Sequence, residues 1–67
     1  MEFTIKIARN GRFVERFSFE SETQVDQDEL LKFAHRLISD EQKRNPGSKI
    51  HVFFVQNGKA GFVIAES

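Results

Sequence analysis

Residues 26–44 read DQDELLKFAHRLISDEQKR, and this stretch decides the fold. Leu30, Leu31, Phe33, Ala34, Leu37 and Ile38 recur at three- and four-residue spacings. That is the period of an amphipathic helix with a broad apolar stripe. The helix is expected over residues 27–44, with Asp26 as N-cap. Thr23 as cap would leave Val25 inside the helix on its polar side. With Asp26 in that role, Glu29 takes the third helical position of a capping box, and Val25 and Leu30 take the two positions of a hydrophobic staple. Asp28 and Glu29 suit the positive end of the helix, Lys43 and Arg44 the negative end. Asn45-Pro46-Gly47 stops it, with Asn45 expected in the left-handed turn. About 18 helical residues span roughly 27 Å, which matches about eight residues of extended chain.

Outward from the helix, each flank reads as a β-hairpin, residues 2–20 before it and 48–66 after it. Phe3, Ile5 and Ile7 alternate with Glu2, Thr4 and Lys6; beyond Asn10-Gly11, Phe13, Phe17 and Phe19 alternate with Arg12, Arg16 and Ser18. A two-residue Asn-Gly loop would pair Ile7 with Val14 and Ile5 with Arg16, mixing the faces. A three-residue loop, Arg9-Asn10-Gly11, pairs Ile7 with Phe13 and Phe3 with Phe17, and is therefore preferred. The same choice in the second hairpin, Gln56-Asn57-Gly58, pairs Ile50 with Ile64, Val52 with Phe62 and Phe54 with Ala60.

The run IHVFFV, residues 50–55, is nearly continuous in apolar character, which predicts a central strand covered on both faces. Glu15 shares a side with Phe13 and Phe17 and should point inward unless a bulge intervenes. An inward charge protects an edge strand from unwanted pairing. Strand 2 is then an edge, and the expected fold is α+β, ββαββ, an antiparallel sheet of order 2-1-3-4 with the helix on one face. The expected core is Phe3, Ile5, Ile7, Phe13, Phe17, Leu30, Phe33, Leu37, Ile50, Val52, Phe54, Phe62 and Ile64.

Composition narrows the function. Sixty-seven residues suffice for one domain, residues 1–67, near the lower size limit. With no cysteine there is neither a disulfide nor a cysteine metal cluster. Eight Phe without Trp or Tyr make the aromatics fillers rather than polar recognition groups. A formal charge of zero argues against a general electrostatic grip on nucleic acid or membrane. No apolar run approaches the ~20 residues of a membrane span, and MEFTIKIARNG lacks the pattern of a signal peptide, so a cytoplasmic location is the expectation.

Catalytic chemistry finds few candidates. The serines lie in no nucleophile context, and no spacing brings His35 and His51 together. Asp28 and Glu29 are explained by helix capping, His35 by packing beside Leu31, and Glu15 by edge protection. The glycines form neither a phosphate loop nor a dinucleotide fingerprint. We expect no enzyme, no metal, no cofactor and no small-molecule substrate.

Two binding surfaces follow from the second faces of the hairpins. Residues 60–65, AGFVIA, carry no charge and no Pro, so strand 4 is an open edge that invites another strand. The leading expectation is a non-enzymatic interaction module that binds a protein partner or itself, as a homodimer, through Phe53, Val55, Gly61, Val63 and Ala65. The alternative is a nucleic-acid-binding sheet face made by Lys6, Arg12, Arg16, Lys49, His51, Phe53 and Lys59. On that face five cations oppose Glu2 and Glu20, a net +3, and Phe53 offers a stacking ring.

Overall fold

The computed structural model describes residues 2–22, 25–56 and 59–67. Its elements are β1 (Glu2–Arg9), β2 (Arg12–Glu20), α1 (Gln27–Arg44), β3 (Ile50–Gln56) and β4 (Phe62–Glu66). All neighbouring strands pair antiparallel, in the order β2-β1-β3-β4, and α1 packs on one face. This is the ββαββ fold expected from the sequence.

The helix begins as its capping chemistry dictates. Asp26 has extended backbone, and its Oδ1 accepts from the Asp28 N–H at 2.9 Å. Glu29 lies 4.0 Å from the ammonium of Lys32, one turn along. Val25 and Leu30, the staple pair, line the same apolar groove. Thr23, the rejected cap, lies outside the described residues. At the other end the Asn45 N–H donates to the Glu41 carbonyl at 2.8 Å. The left-handed conformation falls on Gly47 (φ 85°), whereas Asn45 sits at φ −135°. The expectation for Asn45 is corrected accordingly: glycine takes positive φ without a Cβ clash.

The first hairpin solves its register differently from the three-residue loop expected. Asn10 (φ 53°) and Gly11 (φ 84°) form a two-residue turn with positive φ at both positions, and Arg9 pairs with Arg12. That is the type I′ geometry preferred by Asn-Gly. The register then shifts between Ile7 and Ala8: Ala8 pairs with Phe13, but Ile7 pairs with Glu15. Val14 is the extra residue of a β-bulge. Beyond it Ile5 faces Phe17 and Phe3 faces Phe19. The turn keeps its favoured geometry, and the apolar alternation still reaches the helix side. Phe13, expected in the core, is turned to the opposite face and is 59% exposed.

The second hairpin shifts as well. Phe54 pairs with Phe62 and Phe53 with Val63, whereas Val52 pairs with Ala65 and His51 with Glu66. Ile64 is the residue left between the two registers. The expected pairs Ile50–Ile64, Val52–Phe62 and Phe54–Ala60 are therefore replaced. Asn57 and Gly58 lie outside the described residues; the Lys59 N–H donates to the Gln56 carbonyl at 2.9 Å.

The core sits between α1 and the sheet. Ile5, Ile7, Ile50 and Val52 are fully buried, joined by Ala34, Ile38 and Phe54. Phe3, Val14, Phe17, Leu30, Phe33, Leu37, Ile64 and Ala65 pack around them. Phe62 stays on the helix side opposite Phe54, ring centroids 5.7 Å apart, but at the open margin of the sheet it is 56% exposed. It too is removed from the expected core.

Polar contacts fix one end of this assembly. The buried Glu41 carboxylate accepts from Arg9 at 3.3 Å and from Arg44 at 3.5 Å. Arg44 also lies 3.8 Å from Glu15. Glu15 thus points to the helix side of an edge strand, as expected. The turn residue Asn10 makes two further bonds, donating its N–H to the Lys49 carbonyl (2.9 Å) and accepting the Lys49 N–H on its Oδ1 (3.0 Å). These bonds dock the first hairpin's tip on the strand that follows the helix.

Candidate functional site

Two surfaces gather the expected site residues. The first is the β4 margin. Because β4 ends the sheet, its outer row of backbone N–H and C=O groups faces no strand among the described residues. Between this margin and the N-terminal half of α1 runs a groove of about 340 Å³. Leu30, Leu31, Phe54, Phe62 and Ile64 supply most of its apolar lining, joined by Val25, Gln27, Gln56 and Val63. Leu31, on the helix flank, is 40% exposed, and Val63 on the strand is 43% exposed.

Four of the five residues expected to meet a protein partner cluster near this margin. Val63 stands opposite Phe53 on the sheet face away from the helix. Val55 is on that same face, opposite Thr4. Gly61 precedes β4 and lies so close to Val55 that a Cβ built on it would come within 2.7 Å of Val55 Cγ2. Ala65 is the correction: the register shift places it opposite Val52, packed against the core. A residue on the helix side cannot line the outer face, so Ala65 leaves that set.

The second surface is the outer sheet face. Phe13 on β2 and Phe53 on β3 meet edge-to-face across β1, with centroids 5.3 Å apart. Ala8, directly between Phe13 and His51 in the sheet, is 5% exposed although it faces away from the helix. His51 joins the group, its ring 6.4 Å from Phe53 and its Nε2 3.2 Å from Glu66. Lys6 places its ammonium 5.4 Å from the centre of the Phe13 ring, within cation–π range. Arg16 is directly opposite Lys6.

The remaining cations are not drawn into this group. Arg12 pairs with Arg9, whose guanidinium reaches Glu41 on the helix side, so Arg12 belongs to the other face. This corrects its expected place beside Lys6. Lys49 borders the face at the Asn10 turn, and Lys59 lies at the opposite end, beyond β3. Seven strand residues separate them, roughly 23 Å of extended chain. Phe13, by contrast, was assigned to the core by its alternation with Phe17, and only the bulge brings it here.

His35 is exposed on α1, on the opposite side of the sheet from His51. Among the described residues no group of three or more His, Cys, Asp or Glu could hold a metal ion. Among them, too, no helix is long and apolar enough to cross a membrane. No protein-family model, curated protein or solved structure matches this chain.

Proposed function

We propose that this protein is a non-enzymatic interaction module that accepts an additional β-strand at the β4 margin, from a protein partner or from a second copy. The observation that carries this reading is the coincidence of an edge without an inward charge and an apolar groove. The other edge, β2, has a bulge and the inward carboxylate of Glu15, both of which discourage pairing. β4 also has a register shift, at Ile64, but it carries neither an inward charge nor a proline, and its Phe62 and Val63 remain exposed. A strand added there would gain main-chain hydrogen bonds, and its alternate side chains would enter the groove between β4 and α1.

The test is sedimentation at micromolar concentrations, wild type beside Val63→Lys. Val63 faces away from the core, so the substitution spares the fold while placing a charge in the contact. A wild-type dimer weakened by Val63→Lys supports self-pairing. A wild type that stays monomeric removes self-association and leaves a foreign strand as the occupant. A dimer indifferent to Val63→Lys puts the contact elsewhere and refutes the β4 reading.

A further inference from the structure

The outer face near the Asn10 turn holds a feature that strand addition does not use. Lys6 and Arg16 stand directly opposite each other on neighbouring strands. Like charges in that relation destabilise a sheet. None of the ion pairs among the described residues involves either one. With Phe13, Val14 and Glu15 they line a shallow pocket of about 300 Å³. The Glu15 carboxylate is drawn to Arg44 on the helix side, so it does not neutralise them. The other carboxylates of this face are distant or engaged: Glu66 is paired with His51, and Glu2 and Glu20 face each other at the far end of β1. Four residues from Glu2 to Lys6 span roughly 13 Å.

We propose that this pocket and the adjoining aromatic pair bind single-stranded nucleic acid, with Lys6 and Arg16 holding a phosphate and Phe13 and Phe53 meeting the bases. Two cations converging beside an exposed ring match a phosphate joined to a planar heterocycle. Phe13 is 59% exposed, and ring stacking accepts any base. The site is small and the whole chain is neutral, so the contact is local: one phosphate pocket and one or two stacked bases. A free nucleotide carries the same chemistry, and the competition below separates it from a polymer.

The measurement is fluorescence anisotropy of labelled oligo(dT) and oligo(U) strands of about twelve nucleotides, a length within single-module site sizes. One neutralised phosphate on a single strand gives a salt slope of about −0.7, so raising salt fourfold should weaken binding about 2.6-fold. Lys6→Gln and Arg16→Gln should each weaken binding and flatten that slope. Phe13→Leu, which keeps an apolar side chain but removes the ring, should weaken it at least about fivefold, the lower end of base-stacking losses. Arg36→Ala, on the exposed side of α1, should leave it unchanged. Circular dichroism on each variant checks that the fold is intact; Arg16→Gln leaves Phe13 and its Lys6 contact in place, so the phosphate contact is tested even if the Phe13 substitution disturbs the sheet.

Any one of several results overturns the proposal. These are no saturable binding at low salt, wild-type affinity in Phe13→Leu, or displacement by polyglutamate as readily as by unlabelled oligonucleotide. A mononucleotide that competes as well as the oligomer reassigns the pocket to a free nucleotide. A face that binds no nucleic acid, but whose Phe13→Leu variant weakens self-association, belongs to protein contact instead.

Discussion

Deleting Val14 should leave the protein folded, although deletion inside a β-strand ordinarily turns every later side chain to the wrong face. Val14 is the residue that β2 carries in excess of β1. Without it, Arg12 still pairs with Arg9 and Phe13 with Ala8, while Glu15, Phe17 and Phe19 keep their partners Ile7, Ile5 and Phe3. The bulge closes and the hairpin becomes regular. What is lost is the packing of a half-buried valine against the core. Full burial of such a side chain is worth about 1.5–3 kcal/mol, so partial burial makes the loss about 1 kcal/mol. Ladder bonds regained at the closed bulge offset part of that.

Deleting Ser18, four residues on, is the contrast, because closing the bulge cannot compensate it. With the bulge kept, Phe19 turns to the outer face and loses its contact to Phe33, now 5.8 Å between centroids; with the bulge closed, Phe17 turns outward instead, losing its 6.1 Å contact, and Arg16 takes its place opposite Ile5. Truncating a buried Phe to Ala costs about 3–5 kcal/mol. Even discounted for half-burial, displacing one ring takes away a large part of what a chain this short possesses, about 3–10 kcal/mol. Urea denaturation followed by far-ultraviolet circular dichroism measures both. If the Val14 deletion is unfolded, or the Ser18 deletion is tolerated equally well, the bulge is not where the register changes.

Other expectations are narrower. Phe54→Ala should cost about 3–5 kcal/mol in the same denaturation assay; Phe54 is 7% exposed and touches Phe3 and Phe62. A loss under about 1 kcal/mol would place it outside the core. Asp26→Ala should destabilise by about 1 kcal/mol through loss of the bond to the Asp28 N–H; no change in the urea midpoint would refute the cap. Glu41→Gln and Arg9→Ala should each destabilise, with a double-mutant coupling of about 0.5–3 kcal/mol because the two side chains touch; additive losses would deny the pair. Gly61→Ala should cost about 1–3 kcal/mol by overpacking against Val55. Adding Val55→Ala should recover part of that loss, and failure to do so would remove the contact.

The helix and the strand order were legible because each rests on several signals that agree. Capping residues, end charges and a 3.6-residue period all point to residues 27–44, and one inward charge with one doubly apolar strand yields the order 2-1-3-4. The two registers were not legible, for one physical reason. Alternation read along a single strand assumes that no residue is skipped, and a bulge violates that assumption without changing composition. A hint was present in the first hairpin. Asn-Gly strongly favours a two-residue turn, and that turn is compatible with Ile5 and Ile7 facing the helix only if one residue of β2 is extra. A longer loop would satisfy the alternation only at the expense of the turn.

The register bears on the outer face rather than on the fold. Core membership barely depends on it, since Ile5, Ile7, Val52 and Phe54 are buried in either register. Phe13 does depend on it, and so do Arg12 and Ala65, because a one-residue shift moves a side chain across the sheet. Residues near strand ends, beside turns and bulges, are those whose face a sequence specifies least. Here they are also the ones that decide what the exposed face can bind. Arg12 leaves a basic patch that loses charge, and Phe13 enters it and doubles its aromatic surface. The balance shifts that face from a diffuse cationic grip towards a compact site where an exposed ring stands beside two cations that make no ion pair among the described residues.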